Sequence, residues 1–259
     1  MGPLLHTLRN QRHVLGNFVA RDLKVKYRGT VLGYLWSLLE PMSLVLVYYF
    51  VFEVIARRGG PGYPLVVILG VLPYNLMASI IQSGAGALTT NAALIRRVYL
   101  PREVFVIAAV ASHLVVFALS IAVVVPFLIY YQVVPGWRLI FLPFATALIA
   151  LFGTGIGFVV ACANALFRDI DYVIRVAMRL FFYGSPTIYT ISMVPEDMRS
   201  FYLLNPVAVY LSLLRSGTMN RPLDVEPIYV AGATVAAIVV FWMGLTLFYR
   251  WQAKAVKYL

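Results

Sequence analysis

The sequence predicts an all-α membrane protein with six transmembrane helices, an N-terminal amphipathic interface helix, and short re-entrant helices between helices five and six. Three observations predict it. Of 259 residues, 62% are hydrophobic and only 12% are charged, with a mean hydropathy of +0.86. A water-soluble domain carries about a quarter charged residues. The apolar residues also gather into runs close to the ~20 residues that cross a bilayer. The charged residues collect between those runs.

The first element is cytoplasmic, residues 1–32. Leu8, Leu15, Phe18, Val19 and Leu23 recur at helical spacing. Asn10, His13, Asn17, Arg21, Lys24 and Arg28 occupy another face. The pattern is an amphipathic helix, Leu8–Arg28, at the membrane interface. These first residues hold no apolar core of a cleavable signal, so the first membrane helix is expected to direct insertion.

Residues 33–259 form the transmembrane domain. The spans run roughly Gly33–Ile55, Leu65–Leu88, Val104–Tyr130, Leu139–Ala163, Val173–Ile191 and Ile228–Tyr249. The fifth carries Arg175 and Arg179 in its first turns. The connections expected inside hold 15 Lys and Arg residues and those outside hold 6. Basic residues stay inside, so both termini are expected in the cytoplasm. The net charge of +11 reflects these flanks, and no nucleic-acid partner is expected. Cys162, the one cysteine, sits in an apolar run and reads as a small buried hydrophobe.

Two connections stand apart. Residues 89–103 include Ile95, Arg96, Arg97, Val98, Tyr99, Leu100, Pro101 and Arg102, a basic stretch with apolar residues that water would not favour. That pattern suits a docking partner on the cytoplasmic side. Residues 192–226 contain two apolar pieces, Phe201–Leu204 and Val207–Leu214, each too short to span. Asn205 and Pro206 supply an N-cap and a first-turn proline for the second piece, and Arg215 and Gly217 suit its end. Irregular backbone at membrane depth must be covered by protein or line a cavity, so this segment is expected at the outer mouth of a pathway.

No catalytic constellation is present. GxxxxGK[ST] occurs nowhere, and Gly153, Gly157 and Ala161, four residues apart, read as close helix packing. There is no HExxH, no Cys/His cluster and no pair of carboxylates in a span. Catalytic residues, metals and cofactors bound by this chain are therefore not expected.

Several stretches carry a family resemblance: Arg21–Gly29 with Leu32–Pro41, Gly70–Asn75, Asn91–Glu103, Phe167–Tyr172, Ser185–Tyr189 and Leu204–Pro206. In this order they resemble the membrane subunits of ABC-2 exporters of polysaccharide, of the O-antigen, teichoic-acid and cell-wall galactan kind. One departure is Tyr74, where many relatives carry Trp. The resemblance implies a bacterial inner-membrane homodimer with two copies of a separate cytoplasmic ABC ATPase. ATP and Mg would be bound by that subunit, and a lipid-linked glycan would move outward among membrane lipids. It also implies that Ile95–Pro101 is the helix that seats in the ATPase, and that residues 192–226 form outer gate helices, with Asn205, Pro206 and Tyr210 in the gate.

A glycan path suits flat rings with a polar edge. Tyr34, Ser37, Pro41, Tyr48 and Phe52 fall near one stripe of the first span. Tyr172, Arg175, Arg179, Phe182, Tyr183, Pro186 and Tyr189 recur at spacings of three and four along the fifth. A stripe mixing arginine with aromatics is costly against lipid. Tyr34, Tyr48, Phe182, Tyr183 and Tyr189 are the expected lining, and Arg175 and Arg179 the expected contacts of a lipid diphosphate at loading. Snorkelling arginines and packing aromatics are the plainer alternative. A drug or lipid exporter of the same fold, and a membrane scaffold that transports nothing, also remain open.

Overall fold

The computed structural model describes residues 10–55 and 62–259, and this part is built of helices and short connections. In chain order the α-helices are α1 (Arg12–Tyr27), α2 (Trp36–Tyr49), α3 (Tyr63–Thr90), α4 (Ala92–Arg97), α5 (Glu103–Ser120) and α6 (Val124–Tyr130). They continue as α7 (Phe141–Leu166), α8 (Ile170–Tyr183), α9 (Glu196–Tyr202), α10 (Pro206–Met219) and α11 (Pro227–Val256). A tighter turn joins α5 to α6 without a break, and another leads into α7. Among the described residues four helical stretches are long and apolar enough to cross a membrane: Tyr63–Thr90, Glu103–Tyr130, Trp137–Leu166 and Pro227–Val256.

The centre of the bundle is α3, most of whose residues are buried. It packs on α7, and α7 packs in turn on α11. Small residues make both seams close. A Cβ on Gly84 would stand 2.7 Å from the Gly157 Cα, and one on Gly244 would overlap the Gly155 carbonyl. In lipid, where hydrophobicity does not drive helices together, such close approach is what favours association. Gly153 and Gly157 thus pack as expected. Cys162 is buried in a second cluster with Phe158, Phe248, Val104 and Leu88.

Side-chain bonds define the two ends of the bundle. At one end the Arg21 guanidinium donates to Asn91 Oδ1 at 3.0 Å, and Tyr249 Oη donates to Glu103 Oε1 at 3.2 Å. Asn164 donates to the Ala85 carbonyl at 2.9 Å and accepts from the Asp171 amide at 3.1 Å, which fixes the start of α8. At the other end Tyr63 Oη donates to the Ile188 carbonyl at 2.8 Å.

Four expectations change. The expected helix Leu8–Arg28 is seen as Arg12–Tyr27, while Leu8 lies outside the described residues. Its apolar face is turned to protein: Phe18 is buried 5.2 Å from the Phe105 ring, with Arg21 over the Phe18 ring at 4.7 Å. The first expected span is a composite, Gly33–Ile55, in which a tight turn precedes α2 and a wide π-turn follows it. The fifth, expected to run Val173–Ile191, ends at Tyr183. Its 14 residues rise about 21 Å, less than the ~30 Å of a hydrocarbon core. Gly184-Ser185-Pro186 stops it, since proline lacks an amide hydrogen and keeps its predecessor out of helical geometry.

The fourth change concerns α10. Asn205 caps it by accepting from the Val207 amide at 3.0 Å, and Pro206 stands in its first turn, as expected. But it does not end near Arg215. It runs to Met219 and closes on Asn220 in the left-handed region at φ 51°. Gly217 is inside it, where a Cβ would lie 2.9 Å from the Arg138 carbonyl.

Candidate functional site: an exposed aromatic–cationic face and a clasped loop

The high amphipathicity of α8 comes from its sequence. Ile170, Ile174, Met178 and Phe182, each four residues apart, pack against the core. Tyr172, Arg175, Val176, Arg179 and Tyr183 stay exposed, with Tyr172 at 67% and Tyr183 at 60%. Arg175 pairs with Asp171 at 2.5 Å and lies over the Tyr172 ring at 4.9 Å. Its charge is therefore balanced within one turn, while Arg179 has no such acidic partner among the described residues.

Near the C-terminal end of α8 three helices bring rings together. Phe182 lies edge-on to Tyr74 of α3 at 5.2 Å and stacks with Tyr48 of α2 at 6.4 Å. Tyr183 meets Phe182 edge-on at 5.2 Å. Tyr74 Oη donates to the Met178 carbonyl, which ties α3 to α8. The expected lining residues Tyr48, Phe182 and Tyr183 therefore meet. The side chain of Tyr34 lies outside the described residues.

Beyond Tyr183 the chain is irregular, and other residues take up its carbonyls. Arg215, buried on α10, donates to Thr187 at 2.8 Å, Tyr189 at 2.9 Å and Val66 at 3.2 Å. Tyr63 takes the Ile188 carbonyl, and Tyr202 takes that of Gly184 at 2.7 Å. Asn205 Nδ2 donates to Ser185 Oγ at 3.1 Å. The Tyr189 and Tyr202 hydroxyls lie against each other, and Tyr189 Oη is also 3.1 Å from the Tyr183 carbonyl, so one of the two protons serves the contact between them. The close fit needs Gly70 of α3, where any Cβ would overlap the Thr187 carbonyl. Backbone that leaves a helix at depth must be satisfied in this way.

Of the expected gate residues, Asn205 and Pro206 stand at the head of this clasp. Tyr210 does not face an opening: it is fully buried, donating to the Ala233 carbonyl at 2.8 Å. Nor does the α8 stripe persist as one line. Pro186 is buried and Tyr189 is half-buried in the loop, away from the open face of Tyr172, Arg179 and Tyr183. Sequence reasoning missed Tyr63, Tyr202, the tie of Tyr74 to α8 and the role of Arg215. A buried arginine in an otherwise apolar 14-residue helix was the available signal.

At the opposite end, α4 has no buried residue. Arg96, Arg97 and Val98 are exposed, and Tyr99 is fully exposed. Ile95 and Leu100 pack instead against the cluster around Phe105. Pro101 and Arg102 are half-buried where α5 begins.

The profile of the ABC-2 type transporter family matches residues 14–219. The chain belongs to that family. It is 28% identical over 248 residues to the O-antigen export system permease protein RfbA of Myxococcus xanthus, covering 95% of each chain. It is 28% identical over 240 residues to RfbA of Klebsiella pneumoniae, covering 92% of each. It is 22% identical over 242 residues to the polysialic acid transport protein KpsM of Escherichia coli, covering 91% of this chain and 92% of the other. This ABC-2 chain is thus an integral membrane protein whose similarity takes in both the α8 face and the loop clasp.

Proposed function

We propose that the chain is the membrane subunit of an ATP-driven exporter that moves a lipid-linked polysaccharide outward across a bacterial inner membrane. The observation that carries the reading is the α8 face, where Tyr172, Arg179 and Tyr183 stand exposed beside the Tyr48–Phe182–Tyr74 cluster. Arginine and tyrosine hydroxyls are poor company for acyl chains and good company for phosphate and sugar. The names of the relatives, O-antigen and polysialic acid transport proteins, support the same substrate class.

In this reading six segments cross, with Gly33–Ile55 and α8 joining the four long helices. The domain 33–259 is the translocation unit and 1–32 is its cytoplasmic flank. Both termini are cytoplasmic, as the distribution of basic residues supports. Two copies face each other across the α8 surfaces, which shields the arginines from lipid. Arg175 and Arg179 meet the lipid diphosphate at loading, and the rings hold successive sugars weakly enough to release them. Two copies of an ATPase, holding ATP and Mg, dock on Arg96, Arg97, Val98 and Tyr99. The clasp of Arg215, Tyr202 and Asn205 stands at the outer mouth.

The test replaces Tyr183 by Ala, and Arg175 and Arg179 by Gln, and measures surface glycan together with permease abundance. The expected result is a loss of long glycans from the surface at normal abundance, with the arginine variants failing at loading. Val239→Ala, an exposed change on α11, should leave export intact. If export falls only in step with protein abundance, the face is packing and the reading fails.

A further inference from the structure

The outward face of α11 changes character along its length. Ile228, Val235, Val239 and Met243 recur at spacings of seven, four and four, and all are exposed. The same stripe continues through Arg250 and Lys254, which are exposed too. At ~100° per residue the six lie within about 100° of the helix circumference. Thr246, the polar residue between Met243 and Arg250, donates to the Trp242 carbonyl of its own helix at 2.7 Å. The opposite face, with Ala233, Ala237, Gly244 and Phe248 buried, packs on α7. No hydrogen bond or ion pair among the described residues engages the side chain of Arg250 or Lys254.

Depth identifies the occupant. From Ile228 to Thr246 the stripe rises about 27 Å, close to the ~30 Å of a hydrocarbon core. Arg250 comes one turn later, about 6 Å further. A second measure agrees. Tyr249 Oη donates to Glu103 Oε1 at 3.2 Å, which sets this turn of α11 near the level where α5 begins. The continuous helix Glu103–Tyr130 has 28 residues and rises about 42 Å, so about 6 Å of it projects beyond the core at each end. Both measures place Arg250 in the headgroup layer, which is ~5–7 Å thick. Lys254 starts one turn higher, but helix side chains lean toward the N-terminus, and its long stem returns the ammonium to the same layer. Trp251, exposed beside them, is the kind of aromatic that favours this boundary. The profile, apolar and then cationic at the edge of the core, is the complement of a lipid with an anionic head. A second copy of the chain fits poorly, since a two-fold contact would set the same cations against each other.

We propose that Arg250 and Lys254 hold the headgroup of an anionic phospholipid in the leaflet on the α4 side, with an acyl chain running along Met243 and Val239. The site lies on α11 and is independent of what the α8 face carries, so its failure would leave the export reading untouched, and the converse also holds.

The test uses the full chain in detergent, titrated with phosphatidylglycerol or with zwitterionic phosphatidylcholine and followed by native mass spectrometry. A phosphatidylglycerol carrying a headgroup photo-cross-linker gives the position. It should be retained and cross-linked to peptides covering residues 247–257, and phosphatidylcholine should not displace it. Arg250→Gln should weaken that cross-link about fivefold, the effect of one basic residue at a membrane surface. Arg250→Gln together with Lys254→Gln should weaken it about 25-fold, while Arg250→Lys should hold it within about twofold. Both side chains are exposed, so the thermal stability of these variants should match that of the original chain. Lys24→Gln, which removes an exposed charge from α1, should leave the cross-link at 247–257 unchanged. An undiminished cross-link in the double variant, an equal loss in Lys24→Gln, or equal retention of phosphatidylcholine would overturn the proposal. Displacement by millimolar inorganic phosphate would overturn it too. Loss of the cross-link on assembly with the ATPase would assign the two cations to a protein partner and overturn the lipid assignment.

Discussion

Replacing Arg215 by Met keeps a long apolar stem and removes the three hydrogen bonds that Arg215 gives to the clasp. Three carbonyls, those of Val66, Thr187 and Tyr189, then lose a charged partner. At about 1.5–3 kcal/mol for each hydrogen bond to a charged group, the gross loss is roughly 5–9 kcal/mol. Relief from burying the guanidinium returns several kcal/mol, which leaves a net cost of about 3 kcal/mol. A cost of that size raises the open population of the loop by about 100-fold. Hydrogen exchange on the purified chain reads this directly. Peptides covering residues 187–193 should lose about two decades of protection, while those from the middle of α7 should not change. Arg215→Lys should restore part of the loss, because an ammonium cannot span the three acceptors as the planar fork does. Gly70→Ala attacks the same contact from α3 and should loosen the same peptides. If Arg215→Met leaves loop protection within about threefold of the original, the clasp does not hold the loop, and its place at an outer gate loses its physical basis.

The remaining predictions concern orientation and coupling. A cysteine at Asp197 should react with an impermeant thiol reagent from outside, and one at Lys254 should not; Cys162 is buried and silent in this assay. The opposite labelling would invert the topology. Tyr99 is fully exposed, so Tyr99→Ala should leave stability within about 0.5 kcal/mol. It should nevertheless weaken co-purification with the ATPase by an amount typical of an interface hot spot, about 2 kcal/mol. Wild-type recovery of the complex would show that α4 is not where the ATPase docks.

How far the sequence could be read follows from which signals are periodic. Four spans were legible because a run of ~20 apolar residues has few alternatives to a membrane helix. The start of α10 was legible because Asn205 and Pro206 act locally, through a cap and a fixed φ. Its end was not. Arg215 looks like a C-terminal cation until its three acceptors are seen, and these lie 26, 28 and 149 residues away in sequence. The stripe on α8 was half legible. The spacing grouped Phe182 with Tyr183, but adjacent residues stand about 100° apart on a helix. Phe182 therefore packs inward on Tyr74 while Tyr183 stays outside.

The short α8 and the clasped loop are two sides of one solution. A helix long enough to span alone would hold all its backbone bonds within itself, and it would need no partners at its outer end. In the proposed six-span arrangement, stopping at Tyr183 leaves carbonyls from Gly184 to Tyr189 at a depth where water is scarce. The bundle meets that demand from three separate elements: Tyr63 at the start of α3, Tyr202 on α9, and Arg215 on α10. The C-terminal end of α8 is thereby held by side chains that can let go one at a time, whereas a continuous helix would yield only by breaking its own ladder. Its other end is fixed by Asn164, which binds both α3 and the first turn of α8. The aromatic–cationic face thus has one anchored end and one releasable end. A change on α10 should reach Tyr183 through the loop, with no contact between Arg215 and the face itself.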